Sequence, residues 1–217
     1  MEIKPEKDTS MSLSDKVYYK VKQLIIEGQL QPGEQVRQIQ LAGELKVSRT
    51  PLINALQRLV SENYVEYHPQ RGYTVRKFTR DEMLQLHRIR EACEGVAAHD
   101  ACQRITDEQI AELRALFEPF LTVSVWSPEV MKQYLQADME FHQRLIEISG
   151  NPFLMQALNN LGIFYFTYQW GLLQDPQASI KDHLAIIEHL SARDHDAARN
   201  AMEKHLMKSR DNVVHFF

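Results

Sequence analysis

Apolar residues recur along most of this chain at helical spacing, and the clearest case runs from Val47 to Val60. Leu52, Ala55, Leu56, Leu59 and Val60 stand there at i, i+3, i+4, i+7 and i+8, which makes one apolar stripe. Ser48 is a suitable N-cap for this helix, and Pro51 falls in its first turn, where a missing N–H costs nothing. Upstream, Ser14 is placed to cap a helix to about Glu27, with Val17, Val21, Leu24 and Ile25 on one face. Gly28–Gly33 reads as a turn, and a short helix is expected near Gln38–Leu45. Downstream, Tyr64–His68 and Tyr73–Arg76 are short β-like runs joined by Pro69-Gln70-Arg71-Gly72, a hairpin with a basic tip. From residue 79 the pattern is helical throughout. Thr79-x-x-Glu82 and Thr106-x-x-Gln109 are capping-box signatures, and Ser127-Pro128 sets an N-cap before a proline. Helices are expected near 80–102, 107–118, 128–148, 152–173, 177–192 and 195–213, divided by turns at Gly150-Asn151-Pro152 and Asp175-Pro176. The fold class is mostly α. The expected domains are a flexible 1–13, three helices and a hairpin over 14–78, and an all-α antiparallel helical bundle over 79–217.

Composition adds a division of labour. The 217 residues are 44% apolar, which suits one large or two small globular domains and excludes a disordered chain. No run approaches the roughly 18 apolar residues of a membrane span. The polar residues 1–12 show no apolar signal region, so a cytoplasmic location without membrane contact is expected. The net charge of −4 is uneven: residues 1–78 hold 12 basic and 9 acidic side chains, residues 79–217 hold 13 and 20, and eight of the nine histidines lie in the second part. A mildly basic front and an acidic, histidine-rich back imply different partners. Cys93 and Cys102 are nine residues apart on one predicted helix, roughly 13 Å, too far for a disulfide.

The helix after Val47 presents Arg49, Thr50, Ile53, Asn54 and Gln57 opposite its apolar stripe. Its N-terminus offers free N–H groups and positive partial charge, which suit a phosphate. A helix that inserts its first residues into a major groove needs this arrangement, although most helices with polar N-termini are only surface helices. Arg37, Lys46 and Arg58 are expected at phosphates, and His68, Arg71 and Gly72 on the hairpin beside a phosphate or the minor groove; each is alternatively a solvated surface group. Three helices followed by a hairpin in under 70 residues is the winged helix-turn-helix order, with the hairpin as the wing.

A second constellation lies behind. Asp138 and His142 are i, i+4 on an apolar face with Leu135, Phe141 and Leu145. His183 shares a face with Ile186, Ile187 and Leu190, and His205 sits near Ala201 and Met202. Four ionisable groups on core faces need partners, because burying them unpaired costs several kcal/mol. Either each is separately hydrogen-bonded in the core, or one divalent cation satisfies all four; three imidazoles and a carboxylate suit zinc, and also manganese, nickel or iron. His87, His99, His189, His195 and His215 read as surface or ordinary packing. Phe164, Tyr165, Phe166, Tyr168 and Trp170 crowd one predicted helix, more often core or dimer contact than pocket lining.

Residues 14–78 resemble the GntR family of bacterial transcription regulators. The shared features are Gly28-x-Leu30-x-Pro32-Gly33, Leu41-Ala42, Val47-Ser48-Arg49-x-Pro51, Ala55-Leu56 and Arg71-Gly72. Asp138-x-x-Phe141-His142-x-x-Leu145, Ser149-Gly150-Asn151-Pro152, His183-x-x-Ile186 and His205-Leu206 resemble the FCD effector domain of the FadR-type branch. The resemblance implies a double-stranded DNA operator contacted through Arg37, Ser48, Arg49, Thr50, Asn54, Arg58, His68, Arg71 and Gly72. It implies a metal held by Asp138, His142, His183 and His205, and a small carboxylate effector. Arg90 aligns with an arginine often found on the first helix of that domain and is expected at the effector, or else pairs with Glu94 at i, i+4. Ser179, one turn before His183, is a second effector residue or a helix-start residue. The chain departs from the family at Ile53-Asn54, where Arg-Glu is usual, and at Gln38, often Glu. Ile53 can meet a thymine methyl and Asn54 can pair with adenine, so an A·T-richer site is expected.

The expected function is a ligand-responsive regulator of transcription, a repressor, binding a palindromic operator as a homodimer. Two alternatives stand beside it: a metalloenzyme acting on a small acid or ester, disfavoured by the lack of a placed general base, and a regulator whose metal is purely structural.

Overall fold

The computed structural model describes residues 11–162 and 174–213. The chain divides into two compact units, Met1–Phe78 and Thr79–Phe217, except that a short segment from Asn160 groups with the first. In the first unit α1 (Leu13–Ile26), α2 (Gln38–Glu44) and α3 (Arg49–Ser61) are followed by β1 (Val65–His68) and β2 (Gly72–Val75). α3 packs against both α1 and α2, burying Leu52, Ala55, Leu56 and Leu59 against Val17, Val21 and Ile25. The strands pair antiparallel with Tyr67 opposite Tyr73 and His68 opposite Gly72. Gly72 begins β2 at φ +77°, a conformation that favours glycine and lets the three-residue tip Pro69–Arg71 close. Three helices and a two-stranded wing are therefore present.

The first helix is capped by Ser12 rather than Ser14. The Ser12 hydroxyl accepts the Asp15 N–H and donates to its carboxylate at 2.6 Å, so the helix starts two residues early and Ser14 lies inside its first turn.

The second unit contains α4 (Arg80–Arg104), α5 (Asp107–Ala115), a 3₁₀ turn (Glu118–Phe120), α6 (Pro128–Ile148), α7 (Pro152–Asn160), α8 (Pro176–Ser191) and α9 (His195–Val213). Both capping boxes form: Thr79 with Glu82 and Thr106 with Gln109 exchange side-chain and backbone bonds in both directions. Ser127 and Asp175 cap α6 and α8, each ahead of a proline at the first helical position. The helix expected over 107–118 stops at Ala115. Pro119 has no N–H and its ring would clash with the carbonyl of Ala115, so the chain finishes in a 3₁₀ turn. The helix expected over 152–173 is described only to Asn160; the aromatic run Phe164–Trp170 and His215 lie outside the described residues.

α4 packs on α9, α6 and α8, and α9 packs on α8. One core runs between them, from Ala98, Ala101 and Cys102 through Phe117, Phe141 and Leu145 to Ile186, Leu190, Met202 and Leu206. Cys93 and Cys102 are free thiols. Among the described residues no helix is long and apolar enough to cross a membrane.

Candidate metal centre and nucleic-acid interface

Asp138, His142, His183 and His205 converge inside the second unit. One ligand atom from each lies within 4.8 Å of all the others, and all four residues are buried. Two come from α6, where the i, i+4 spacing sets Asp138 and His142 one turn apart beside buried Tyr134, Phe141 and Leu145. Tyr134 takes the buried position that Leu135 was expected to fill; Leu135 is only half-buried. α8 contributes His183 and α9 contributes His205. The His142 and His183 Nε2 atoms are 3.4 Å apart, and the His183 Nε2 is 3.5 Å from an Asp138 oxygen. Phe117 stacks on the His183 ring at 4.6 Å and Phe141 closes another side, so the rings are held by packing.

Each imidazole turns its other nitrogen to a partner. Glu94 on α4 approaches the His142 Nδ1 at 2.5 Å, the Tyr134 hydroxyl stands 3.5 Å from the His183 Nδ1, and Asp182 stands 3.5 Å from the His205 Nδ1. The last is an electrostatic contact rather than a closed hydrogen bond. Asp182 is itself held by Lys208 at 2.6 Å. This pattern fixes ring orientation and presents one nitrogen of each ring to a common point, as the outer partners of metal-binding histidines do.

Protonation follows the burial. Burial, reinforced by the charges of His205, His142 and Arg90, holds His183 well below the ordinary histidine range. Burial also lowers His205, against the opposing pull of Asp182. Burial pushes Glu94 up, but the Arg90 guanidinium and His142 outweigh it and hold the carboxyl at about 2. His183 and His205, held neutral in this way, are donors of the kind a divalent cation requires. Two ligands on one ion at about 2.1 Å stand up to about 4.2 Å apart. The four ligand atoms, all within 4.8 Å of one another, stand near that limit, and the residues fit a metal.

Arg90 is buried on α4 with its Nε 2.5 Å from Glu94, so the i, i+4 pair is formed and lies one residue behind His142. Ser179 is fully buried, with its hydroxyl beside that of Tyr134. Glu94, Tyr134 and Asp182 did not stand out in the sequence as members of this site. Glu94 carried one signal: it shares a helical face with Met83, His87, Ala97, Ala98 and Ala101, an acidic residue on a core stripe. His87, expected at the surface or in ordinary packing, is fully buried, and burial first, then Arg90, pushes its imidazole down to about 3.

In the first unit, Arg49 and Gln38 line two adjoining clefts. One, of about 650 Å³, lies between α3 and the wing and includes Ile53, Gln57, Tyr67 and Gly72. The other, of about 500 Å³, includes Arg37, Ile39 and Arg71. Thr50 and Asn54 are exposed on α3, and Ile53 is half-buried. Ser48 occupies the N-cap position, but its hydroxyl makes no cap bond. Arg58 is placed differently from its neighbours on this list: its guanidinium lies 3.7 Å over the Tyr18 ring and bridges Asp15 and Glu62. His68, at the wing, has its Nε2 3.4 Å from Glu66.

A winged helix-turn-helix with Arg49 exposed at the start of its third helix, in one chain with a helical domain that holds a buried Asp/His centre, points to a DNA-binding regulator of transcription. Residues 13–75 match the family described as "Bacterial regulatory proteins, gntR family", and residues 85–208 match the FCD domain. The chain belongs to the GntR family and carries an FCD domain. It is 33% identical to the Nta operon transcriptional regulator of Aminobacter aminovorans, over 84% of this chain and 86% of that protein. It is 23% identical to the HTH-type transcriptional repressor RspR of Escherichia coli K12, over 98% and 94%. Among solved structures, E. coli McbR/YncC shares the fold with a TM-score of 0.76 at 22% identity, covering 95% of this chain and 99% of that one.

Proposed function

We propose that this regulator binds a palindromic operator as a homodimer and that a small carboxylate, held at a divalent cation in the FCD domain, sets its operator affinity. Asp138, His142, His183 and His205 are the cation's ligands in this reading, with zinc best suited to the donor set and manganese, nickel or iron also accommodated. The observation that carries it is the meeting of four buried ligand atoms within 4.8 Å, with a carboxylate or hydroxyl behind every ring. Three imidazoles and one carboxylate leave coordination positions for a ligand oxygen. Arg90, paired with Glu94, lies behind His142, and the buried Ser179 hydroxyl stands one turn before His183 beside Tyr134.

On DNA, Arg49, Thr50 and Asn54 read bases from α3. Arg37, Arg71 and Gly72 hold the backbone around the two clefts, with His68 at the wing and Ser48 at the helix start. Arg58 serves the front unit's own packing. Repression, in the cytoplasm, is the action proposed. A gel-shift on the chain's own upstream region, with metal-loaded protein and a panel of small carboxylic acids, tests the whole. At least one acid is expected to change operator affinity, and only when the metal is bound. An acid response that survives complete metal removal contradicts the reading. If the metal were purely structural, stripping it would unfold the domain and no acid would act.

A further inference from the structure

Among the described residues, the formally charged side chains that are buried number three, Arg90, Glu94 and Asp138, and all three belong to one site. Residues 163–173, which precede α8, contain no Asp, Glu, Lys, Arg or His. Nearby acids are balanced in pairs at the periphery: Asp182 by Lys208 at 2.6 Å, and Glu91 by Arg210 at 2.8 Å. The buried set therefore sums to one negative charge: Arg90 cancels Glu94, and Asp138 remains. A divalent cation turns that into one positive charge. A buried net charge is costly, and an incoming anion of unit charge removes it, whereas a dianion replaces it with the opposite excess.

Resting on the effector reading above, we propose that Glu94 sets the valence of the ligand, so that the metal-loaded centre takes a monocarboxylate in preference to a di- or tricarboxylate. Glu94 stands behind His142, whose Nδ1 it approaches at 2.5 Å, and acts on the ligand by its charge and by holding that ring. Removing the Glu94 charge leaves the loaded site with one more positive charge, and a dicarboxylate becomes the better match. One unit charge at an effective protein dielectric of about 20 is worth at least about tenfold in affinity at separations under about 12 Å.

The test is calorimetric titration of zinc-loaded, full-length protein with two pairs of similar size, malonamate against malonate and benzoate against phthalate. Metal content is checked by elemental analysis before and after. The wild-type chain is expected to favour the singly charged member, and Glu94→Gln to move the ratio towards the doubly charged member by about tenfold or more. A wild-type preference for the dianions overturns the inference and leaves the effector reading standing. Failure of every acid to bind overturns both. Equal weakening of both members in Glu94→Gln shows that Glu94 only positions His142 and overturns the charge argument. If that variant does not fold, as read by circular dichroism, the wild-type ratio decides alone.

Discussion

Arg90→Met tests the buried charge arrangement without any ligand. Methionine keeps most of the apolar stem and removes the guanidinium that stands 2.5 Å from Glu94. Arg90 is 4% exposed and Glu94 0%, so water cannot replace the lost partner. The Glu94 carboxylate would be left with His142 alone. Removing one member of a buried ion pair costs about 3–5 kcal/mol, most of it the stranded charge. For a domain of this size 1 kcal/mol corresponds to about 3 °C in Tm, so a fall of roughly 10 °C is expected. The assay is a thermal melt of metal-stripped full-length protein followed by circular dichroism, with urea titration for the free energy. The double variant Arg90→Met/Glu94→Gln removes the stranded charge together with its partner and should recover at least half of the loss. A loss under about 1 kcal/mol in the single variant, or additive losses in the double, would refute the claim that Glu94 is a buried ion held by Arg90.

Two further outcomes are expected. His87 is buried as a neutral imidazole at about 3, with Arg90 and Arg210 disfavouring its charge and Glu94 opposing them. The unfolded chain therefore takes up a proton that the folded one refuses, and stability falls as pH drops from about 6.5 towards 3, by at most about 1.4 kcal/mol per unit. Urea midpoints between pH 7 and 5 should lose part of that slope in His87→Phe; an unchanged slope would assign the acid sensitivity elsewhere. Asn54→Ala should cost about 1–3 kcal/mol at one A·T position of the operator and flatten base preference there. Binding-site selection that returns the same matrix for both proteins would exclude Asn54 as a base reader.

Many elements of both units could be read from spacing alone, because they are local. The stripe Leu52–Val60, the hairpin around Gly72 and the capping boxes at Thr79 and Thr106 each depend on residues a few positions apart. The four candidate ligands were also visible, since each is a polar residue on an apolar helical face. What stayed hidden depends on contacts across the fold. Glu94 meets His142 from 48 positions away, and Arg58 meets Asp15 from 43. Arg58 looks like any exposed base on a reading helix until α1 brings Tyr18 beneath it. The sequence leaves His87 between the surface and ordinary packing, because its neighbours Leu86 and Arg88 give no sign of how deeply α4 is buried on α9. Ser12 and Ser14 are both serines able to cap, and only the bond to Asp15 in the folded chain shows that Ser12 does so.

The central claim is that Asp138, His142, His183 and His205 share one cation. Its most direct test is metal stoichiometry by elemental analysis with chelator-competition affinity, on the wild-type chain and on Asp138→Ala and His183→Ala. The account predicts one divalent ion per chain in the wild type, and affinity weakened by more than about a hundredfold in each variant while circular dichroism shows the helices intact. Wild-type protein that takes up less than one ion under saturating metal, or variants that bind as tightly as the wild type, would contradict it.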